Sequence, residues 1–323
     1  MGHTLYIVVP CYNEEDVLRE TAKRLSERMA ALSGEMRISS NSKIVFVDDG
    51  SRDDTWDIIG KLCASDEVFA GIRLSRNRGH QYALLAGLMT VCEEADFVIS
   101  IDADLQDDID AIDRMIDEYL GGCDIVYGVR CNREKDSFFK RFTAEGFYSL
   151  LRRLGCDIVF NHADYRLMSS RALAALSEYH EQNLFLRGIV PLIGYKTSIV
   201  EYSRNVRLAG ESKYPLKRML SLAFDGLISL SLRPLRLVTA AGIVMLTAAM
   251  ALLIYSIVMV FRGHTMLDWK ITTLSIWGVG GIVTLSLGIV GEYVGRTFIE
   301  VKHRPRYIID STIGLEQSDD PGD

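Results

Sequence analysis

The sequence has 323 residues, of which 48% are hydrophobic and 24% are charged, and its net charge is −7. This composition allows about two domains and excludes a wholly disordered or fibrous chain. Residues 1–135 hold 26 acidic and 15 basic side chains, whereas residues 136–236 hold 9 acidic and 15 basic ones. The acidic part argues against nucleic acid as a partner, and the basic part suits anionic lipid headgroups or a phosphate-bearing substrate.

Short apolar runs alternate with helical patterns through residues 1–130. Strands are predicted at Leu5–Val9, Ile44–Val47, Gly71–Leu74, Phe97–Ile101 and Asp124–Tyr127. Helices are predicted at Glu14–Leu32, Asp54–Ala64, His80–Cys92 and Ile109–Leu120. This alternation predicts an α/β fold with a mostly parallel, doubly wound sheet, in which ligands bind beyond the carboxyl ends of the strands.

Polar or acidic residues stand directly after three of these strands, in Pro10-Cys-Tyr-Asn-Glu14, Asp48-Asp-Gly-Ser51 and Asp102-Ala-Asp104. Alternate residues of an extended segment share a face, so Asp102 and Asp104 can reach one ligand, and Gln106 continues the spacing. Such a carboxylate pair favours a hard divalent cation, Mg²⁺ or Mn²⁺. The alternative is an acidic loop that caps the following helix.

Two familiar nucleotide-binding patterns are missing from the sequence. No GxGxxG follows the first strand, and no GxxxxGK[ST] occurs anywhere in the chain. Both absences argue against a dinucleotide-binding or P-loop site.

Two long uncharged runs occupy the later part of the chain. Leu237–Phe261 has 25 residues and Ile271–Gly291 has 21, which exceeds the roughly 18–20 residues needed to cross a bilayer. Basic residues are concentrated before the first run and after the second, whereas the loop Arg262–Lys270 between the runs has only two. We therefore expect a two-helix transmembrane hairpin in the inner cell membrane, with both chain ends and the active site cytoplasmic. Gly291 and Gly295 form a small-xxx-small pair, which is compatible with a homo-oligomer.

Two segments before these runs, Ser137–Leu154 and Pro215–Leu232, combine apolar and basic residues. We expect them to form amphipathic helices at the surface of the lipid bilayer. The alternative is that they are core helices of the α/β part.

Several motifs follow one another in a fixed order, namely Val8-Val-Pro-Cys-Tyr-Asn-Glu14, Val47-Asp-Asp-Gly-Ser51, Arg76-Asn-Arg-Gly79 and Asp102-Ala-Asp-Leu-Gln106. This order resembles that of family 2 glycosyltransferases with a GT-A fold. The later segments are Val126-Tyr-Gly-Val-Arg130, Asp164-Tyr-Arg-Leu167 and Arg207-Leu-Ala-Gly-Glu-Ser-Lys-Tyr214. Followed by two apolar runs, they resemble the polyprenyl-phosphate glycosyltransferases, which include bactoprenol glucosyltransferases and, more distantly, dolichol-phosphate mannose synthases.

The resemblance implies inverting transfer of a hexose from a nucleotide-diphosphate sugar, with UDP-glucose expected, to a polyprenyl phosphate such as undecaprenyl phosphate. It implies a metal site for Mg²⁺ or Mn²⁺ at Asp102, Asp104 and Gln106. The implied catalytic residues are Asp102, Asp104 and Asp164, of which Asp164 would orient the acceptor phosphate or a basic residue. An alternative for Asp164 is a structural pairing with Arg166 or a neighbouring arginine. The residues implied to bind substrate form two sets. Those for the nucleotide base and ribose are Pro10, Tyr12, Glu14 and Asp49, and those for phosphate groups, including that of the lipid acceptor, are Arg130, Arg207 and Lys213.

The same resemblance predicts four parts of the chain. They are a nucleotide-sugar-binding half at 1–135, an acceptor-binding half with amphipathic helices at 136–234, two transmembrane helices at 235–295, and a cytoplasmic tail at 296–323. Three other functions stay open. One is the same reaction with a UDP-N-acetylhexosamine or GDP-mannose donor, and another is a non-catalytic membrane scaffold with a transferase-like head. The third is a processive polysaccharide synthase, against which the absence of a QxxRW motif argues.

Overall fold

The computed structural model describes residues 2–130, 162–182, 185–203, 254, 261 and 269–315. These residues fall into two compact units, one built on a β-sheet and one that contains a long helix. Several sequence predictions lie outside the described residues, namely the amphipathic segments Ser137–Leu154 and Pro215–Leu232, the first apolar run Leu237–Phe261, and the site residues Arg207 and Lys213.

The strands and helices of the first 130 residues closely follow the predicted pattern. The strands are β1 Leu5–Cys11, β2 Lys43–Asp48, β3 Phe69–Leu74, β4 Phe97–Ser100 and β5 Ile125–Arg130. The helices between them are α1 Leu18–Gly34, α2 Thr55–Ser65, α3 His80–Thr90 and α4 Ala111–Leu120.

The later described elements complete the two units. In chain order they are β6 His162–Ser169, α5 Ser170–Ser177, α6 Leu186–Ile189, β7 Thr197–Tyr202, α7 Trp269–Val301 and β8 Ile309–Ile313.

The eight described strands form one mixed sheet in the order β7-β5-β6-β4-β1-β2-β3-β8. β4, β1, β2 and β3 are parallel neighbours, and β5 is parallel to β7. β6 runs antiparallel between β4 and β5, and β8 runs antiparallel to β3. The predicted α/β sheet fold is therefore confirmed, with two antiparallel strands that the sequence analysis did not predict.

The central strand β1 is buried on both faces, which explains its continuous apolar sequence. Leu5, Ile7 and Val9 pack in the layer that contains α1 and α4. Tyr6 and Val8 pack in the opposite layer, with α3 and α5. The core is thus two apolar layers separated by the sheet.

Gly87 lets α3 lie unusually close to the sheet. A Cβ atom at this position would be 2.5 Å from a methyl carbon of Val8 and 2.7 Å from one of Val47. Any larger residue would push the helix away from β1 and β2. The close packing fixes the first residue of the helix, His80, beyond the carboxyl end of β3.

The antiparallel direction of β6 brings its first residues to the edge where the parallel strands end. Ser100 of β4 pairs with Arg166 of β6. Asp164, two residues before Arg166, therefore lies beside the residues that follow β4. This register places the carboxylate of Asp164 next to the segment Asp102–Asp104, although more than 50 residues separate them in the sequence.

The segment after α7 returns to the sheet as β8. Gly71, Ile72 and Arg73 of β3 pair with Ile313, Thr312 and Ser311, and the N–H of Ser75 donates to the carbonyl of Ile308 at 3.0 Å. The sequence analysis assigned residues 296–323 to a C-terminal tail. Instead, part of this segment covers the exposed edge of β3, which would otherwise present unpaired backbone groups.

Helix α7 has 33 residues and contains the second predicted span, Ile271–Gly291. Across the described ranges, no helix combines the length and the apolar content that a membrane crossing requires. The predicted transmembrane hairpin therefore stays a prediction.

Deletion of residues 305–323 should destabilise the protein, because it removes the backbone hydrogen bonds between β8 and β3. Each such bond contributes about 0.5–1.5 kcal/mol, so we expect the midpoint of thermal unfolding to fall by at least about 4 °C. Deletion of residues 316–323 alone, which leaves β8 in place, is the matched control. Equal melting of the full chain and the 305–323 deletion would contradict a stabilising role of β8.

Candidate active site

The loops that follow β1 and β2 are joined by hydrogen bonds between their backbones and side chains. The N–H of Asn13 donates to Ser51 Oγ at 3.0 Å, and the N–H of Glu14 donates to Thr55 Oγ1 at 3.0 Å. Asn13 has a φ of 53°, and its side-chain oxygen accepts from the N–H of Arg52. These bonds hold the two strand ends together as one rigid rim.

Three predicted nucleotide-binding residues belong to this rim or to the strand beneath it. Pro10 is buried within β1, where it pairs with Val47. Tyr12 and Glu14 are half-buried in the loop that follows. The structure therefore brings Tyr12 and Glu14 to the carboxyl edge of the sheet, with Pro10 directly below them.

Asp49, the fourth predicted nucleotide-binding residue, fixes a neighbouring loop. Its two carboxylate oxygens accept from the N–H groups of Arg78 at 2.7 Å and Gly79 at 2.8 Å. Burial raises the pKa of Asp49, and these two hydrogen bonds oppose that rise. The carboxylate thus holds the Arg76–Gly79 loop in place. The sequence did not predict this contact between Asp49 and the loop.

The predicted metal-binding residues lie on a tight turn after β4. The N–H of Gln106 donates to Asp104 Oδ1 at 3.1 Å, and Leu105 between them has a φ of 56°. Thr21 of α1 donates to the carbonyl of Ala103 at 2.7 Å, which anchors the turn to the α1 layer. Asp102 and Asp104 are half-buried, whereas Gln106 is buried.

Asp107, just after this turn, lies at the centre of a second polar network. It is buried, and its Oδ1 accepts from Tyr202 Oη at 2.5 Å and from Arg130 Nη2 at 3.1 Å. Arg130 Nε also donates to Tyr202 Oη at 3.1 Å. The carboxylate of Asp107 raises the pKa of Arg130 even though burial opposes it. The structure therefore brings Arg130, predicted to bind phosphate, to the same edge as Asp102.

Asp164 is buried among positive charges. Its Oδ1 accepts from Arg166 Nη2 at 2.6 Å and from Arg187 Nε at 3.3 Å, and its Oδ2 accepts from Arg187 Nη2 at 3.1 Å. Burial alone would raise the pKa of Asp164, but Arg187, His80 and Arg166 outweigh it and hold the pKa well below its usual range. Asp164 is therefore ionised, and a carboxyl group of such low pKa is a poor general base.

His80 connects Asp164 to the metal-binding turn. Its Nε2 is 3.4 Å from Asp164 Oδ2 and 3.5 Å from Asp102 Oδ1. Burial would lower the pKa of His80, but the hydrogen bond to Asp164 and the two carboxylate charges raise it to about 9. The imidazole is therefore protonated near neutral pH and lies between two carboxylates.

The half-buried carboxylates of Asp102 and Asp104 fit a divalent cation that takes its other ligands from substrate. Burial raises the pKa of Asp102; the charge of His80 opposes the rise, and the charges of Asp107, Asp164 and Asp104 add to it. A bound cation would relieve this repulsion. Within the described part of the chain, no group of three or more His, Cys, Asp or Glu residues could hold a metal by itself. Mg²⁺ commonly binds through one or two carboxylates together with phosphates and water.

Sequence reasoning did not identify four residues of this edge, namely His80, Asp107, Arg187 and Tyr202. His80 and Asp107 each directly follow a quoted motif, so position along the chain could have identified them. Arg187 and Tyr202 come from segments without a recognised motif, and only the fold brings them to the edge.

Comparisons with known proteins agree on one family. The model described as glycosyl transferase family 2 matches residues 6–176. The chain is 49% identical over 313 residues to the uncharacterized glycosyltransferase YkoT of Bacillus subtilis, with 97% of this chain and 93% of that protein covered. It is 38% identical over 308 residues to the prophage bactoprenol glucosyl transferase homolog of Escherichia coli K12, with 94% and 97% covered.

One further relative and one solved structure extend these similarities. Bactoprenol glucosyl transferase of Shigella phage SfV is 37% identical over 306 residues, with 94% of this chain and 97% of that protein covered. The crystal structure of mannosyl-3-phosphoglycerate synthase from Rubrobacter xylanophilus has a TM-score of 0.48 and 17% identity, with 72% of this chain and 74% of that chain covered.

The substitution His80→Gln should destabilise the protein in a pH-dependent way when no divalent metal is present. The pKa of His80 in the folded protein, about 9, lies above the value of ~6.5 expected for the unfolded chain. The positive charge therefore stabilises the fold fully below pH ~6.5, and this contribution is lost as the pH rises through about 9. Thermal unfolding of both proteins in EDTA, from pH 6 to 10, should show a difference that shrinks with pH. A difference that is constant or grows with pH would contradict the assignment.

Proposed function

The chain belongs to glycosyl transferase family 2 and is a glycosyltransferase, and from this premise we propose that it transfers glucose from UDP-glucose to a polyprenyl phosphate. The observation that carries the proposal is the edge where Asp102 and Asp104 stand beside Asp164, His80 and Arg187. That edge combines a cation-binding carboxylate pair with positive side chains, which is the arrangement that a nucleoside diphosphate requires.

The choice of sugar and acceptor is supported by two full-length relatives. The Shigella phage SfV protein is named bactoprenol glucosyl transferase, and the Escherichia coli protein is named a homolog of a prophage bactoprenol glucosyl transferase. Each similarity extends over more than nine-tenths of both chains. A UDP-N-acetylhexosamine or GDP-mannose donor is the alternative within the same reaction, and the test below distinguishes them.

The proposed reaction does not need a general base on the protein. A phosphomonoester has its second pKa near ~6, so the acceptor is already largely dianionic at neutral pH. One of its oxygens attacks the anomeric carbon while the bond from that carbon to the diphosphate oxygen breaks and its electron pair leaves with UDP. No proton is transferred, and attack from the opposite face gives a β-linked lipid phosphate from an α-linked donor.

The side chains at the edge would then act by positioning and charge stabilisation. Asp102 and Asp104, with Gln106 nearby, would hold Mg²⁺ or Mn²⁺. When bound, such a cation supplies charge neutralisation for the departing diphosphate. The rim formed by Tyr12, Glu14 and the loop that Asp49 fixes would hold the nucleoside.

We also propose that the chain acts at the cytoplasmic face of the cell membrane, where a polyprenyl phosphate resides. The uncharged runs Leu237–Phe261 and Ile271–Gly291 support this location. A basic segment before the first run, which includes Arg207 and Lys213, supports contact with the lipid phosphate.

The full-length protein in detergent should form a lipid-linked sugar when given undecaprenyl phosphate, Mn²⁺ or Mg²⁺, and a panel of UDP-glucose, UDP-N-acetylglucosamine and GDP-mannose. We expect product, read by mass, from UDP-glucose. EDTA should abolish it, and Asp104→Asn should reduce the rate by at least about 100-fold, since one cation ligand is lost.

Asp110→Asn is the matched control, because Asp110 follows the same turn and its side chain is 84% exposed. It should transfer at the normal rate. If product formed from another donor instead, the sugar of that donor would be the one that the protein transfers. The absence of product with every donor, together with no metal-dependent binding of UDP or GDP, would contradict the proposed function.

A further inference from the structure

Two arginines contact the buried carboxylate of Asp164, and only one of them is accessible. The Arg166 side chain is 2% exposed, whereas that of Arg187 is 40% exposed. Arg166 lies within β6, and Arg187 lies on the short helix α6. Of the two, Arg187 is therefore the one that a ligand at the sheet edge can contact.

The contacts to Asp164 fix the orientation of the Arg187 guanidinium. Its Nε is 3.3 Å from Oδ1 and its Nη2 is 3.1 Å from Oδ2, so two atoms of one guanidinium edge contact both carboxylate oxygens. Such a two-point contact sets the plane of the group as well as its position. The other edge of a guanidinium has the same fork geometry, which matches the oxygens of a phosphate.

Arg187 stands close to the carboxylates that would hold the cation. His80 Nε2 lies 3.4 Å from Asp164 Oδ2 and 3.5 Å from Asp102 Oδ1, so these two carboxylate oxygens are at most about 7 Å apart. Arg166 and Arg187 together carry two positive charges against the single negative charge of Asp164. Arg187 Nη2 is 3.1 Å from Asp164 Oδ2, so it is at most about 10 Å from Asp102 Oδ1.

We propose that Arg187 contacts a phosphate group of a substrate, and that Asp164 is the positioning residue that holds the Arg187 guanidinium for this contact. The inference rests on the proposed function and assigns a role to a residue that no sequence motif marked. The phosphate is that of the nucleoside diphosphate or that of the lipid acceptor, since both present the same oxygens. Asp164 then acts through Arg187, and it does not itself touch the reacting atoms.

The test compares Arg187→Ala, Arg187→Lys and Asp164→Asn with the unchanged full-length protein. One arm measures UDP binding by calorimetry in the presence of Mn²⁺, without lipid. The other arm measures kcat and KM for undecaprenyl phosphate. Arg171→Ala is the matched control, because Arg171 lies on α5, after the opposite end of β6, and stacks on Tyr195.

We expect Arg187→Ala to weaken one of the two interactions by about tenfold or more, and Arg187→Lys to recover part of the loss. Weaker UDP binding assigns the contact to the donor diphosphate, and a raised KM for undecaprenyl phosphate assigns it to the acceptor. Asp164→Asn should impair the same interaction. Because Asp164 also contacts Arg166 and His80, the variant should retain some effect in the Arg187→Ala background, but a smaller one than in the unchanged protein. Arg171→Ala should change neither.

Two results would overturn the proposal. Unchanged UDP binding and unchanged kinetics in Arg187→Ala would show that Arg187 does not contact a substrate phosphate. If the losses of affinity in Asp164→Asn and Arg187→Ala simply multiply in the double variant, Asp164 does not act through Arg187. If Asp164→Asn fails to fold, Arg187→Ala and Arg187→Lys still test the phosphate contact. Full activity in both of these variants would contradict the inference. The protein without substitutions distinguishes failure of this inference from failure of the proposed function. If it transfers sugar, the proposed function stands whatever the variants do. If it neither transfers sugar nor binds UDP, the proposed function itself is contradicted.

Discussion

The contact between Asp164 and its cationic neighbours determines how the site is built. A buried carboxylate is stable only when hydrogen bonds and opposite charges compensate the loss of water. Asp164 is 6% exposed, and Arg166, Arg187 and His80 supply this compensation from β6, α6 and α3. Removing the carboxylate would leave those cations without their shared partner. One interaction thus ties three separate elements to the residues after β4, where the chemistry is proposed to occur.

The carboxylates at this edge are stabilised in different ways, and the difference indicates where a cation would bind. Asp49 is held by backbone N–H groups, and Asp107 by Arg130 and Tyr202. Both are buried and serve to shape the surrounding loops. Asp102 and Asp104 are half-buried on a turn of restricted backbone, so their carboxylates are partly accessible from solvent. The buried acids hold the surrounding loops in place, and the half-buried pair is suited to bind a ligand.

The sequence predicted much of the sheet, because buried parallel strands leave continuous apolar runs such as Leu5–Val9 and three of the four helices between them are amphipathic. It also predicted which strand ends bring acidic and polar residues to one edge of the sheet. It did not predict β6 or β8, since an antiparallel strand inserted beside β4 and a returning edge strand leave no local pattern. Arg187 was missed for the same reason: its contact with Asp164 depends on tertiary packing, which also sets the register that brings Asp164 beside Asp102. His80 directly follows a quoted motif, so its position in the sequence could have identified it.

The central claim is that Asp102 and Asp104 bind a divalent cation whose remaining ligands come from the diphosphate. Calorimetric titration of Mn²⁺ into the full-length protein, with and without saturating UDP, tests it most directly. The account predicts that UDP tightens Mn²⁺ binding by at least about tenfold, and that Mn²⁺ tightens UDP binding by the same factor, because the two affinities are thermodynamically linked. Mn²⁺ binding that is equally tight without UDP, or UDP binding that is indifferent to Mn²⁺, would contradict it.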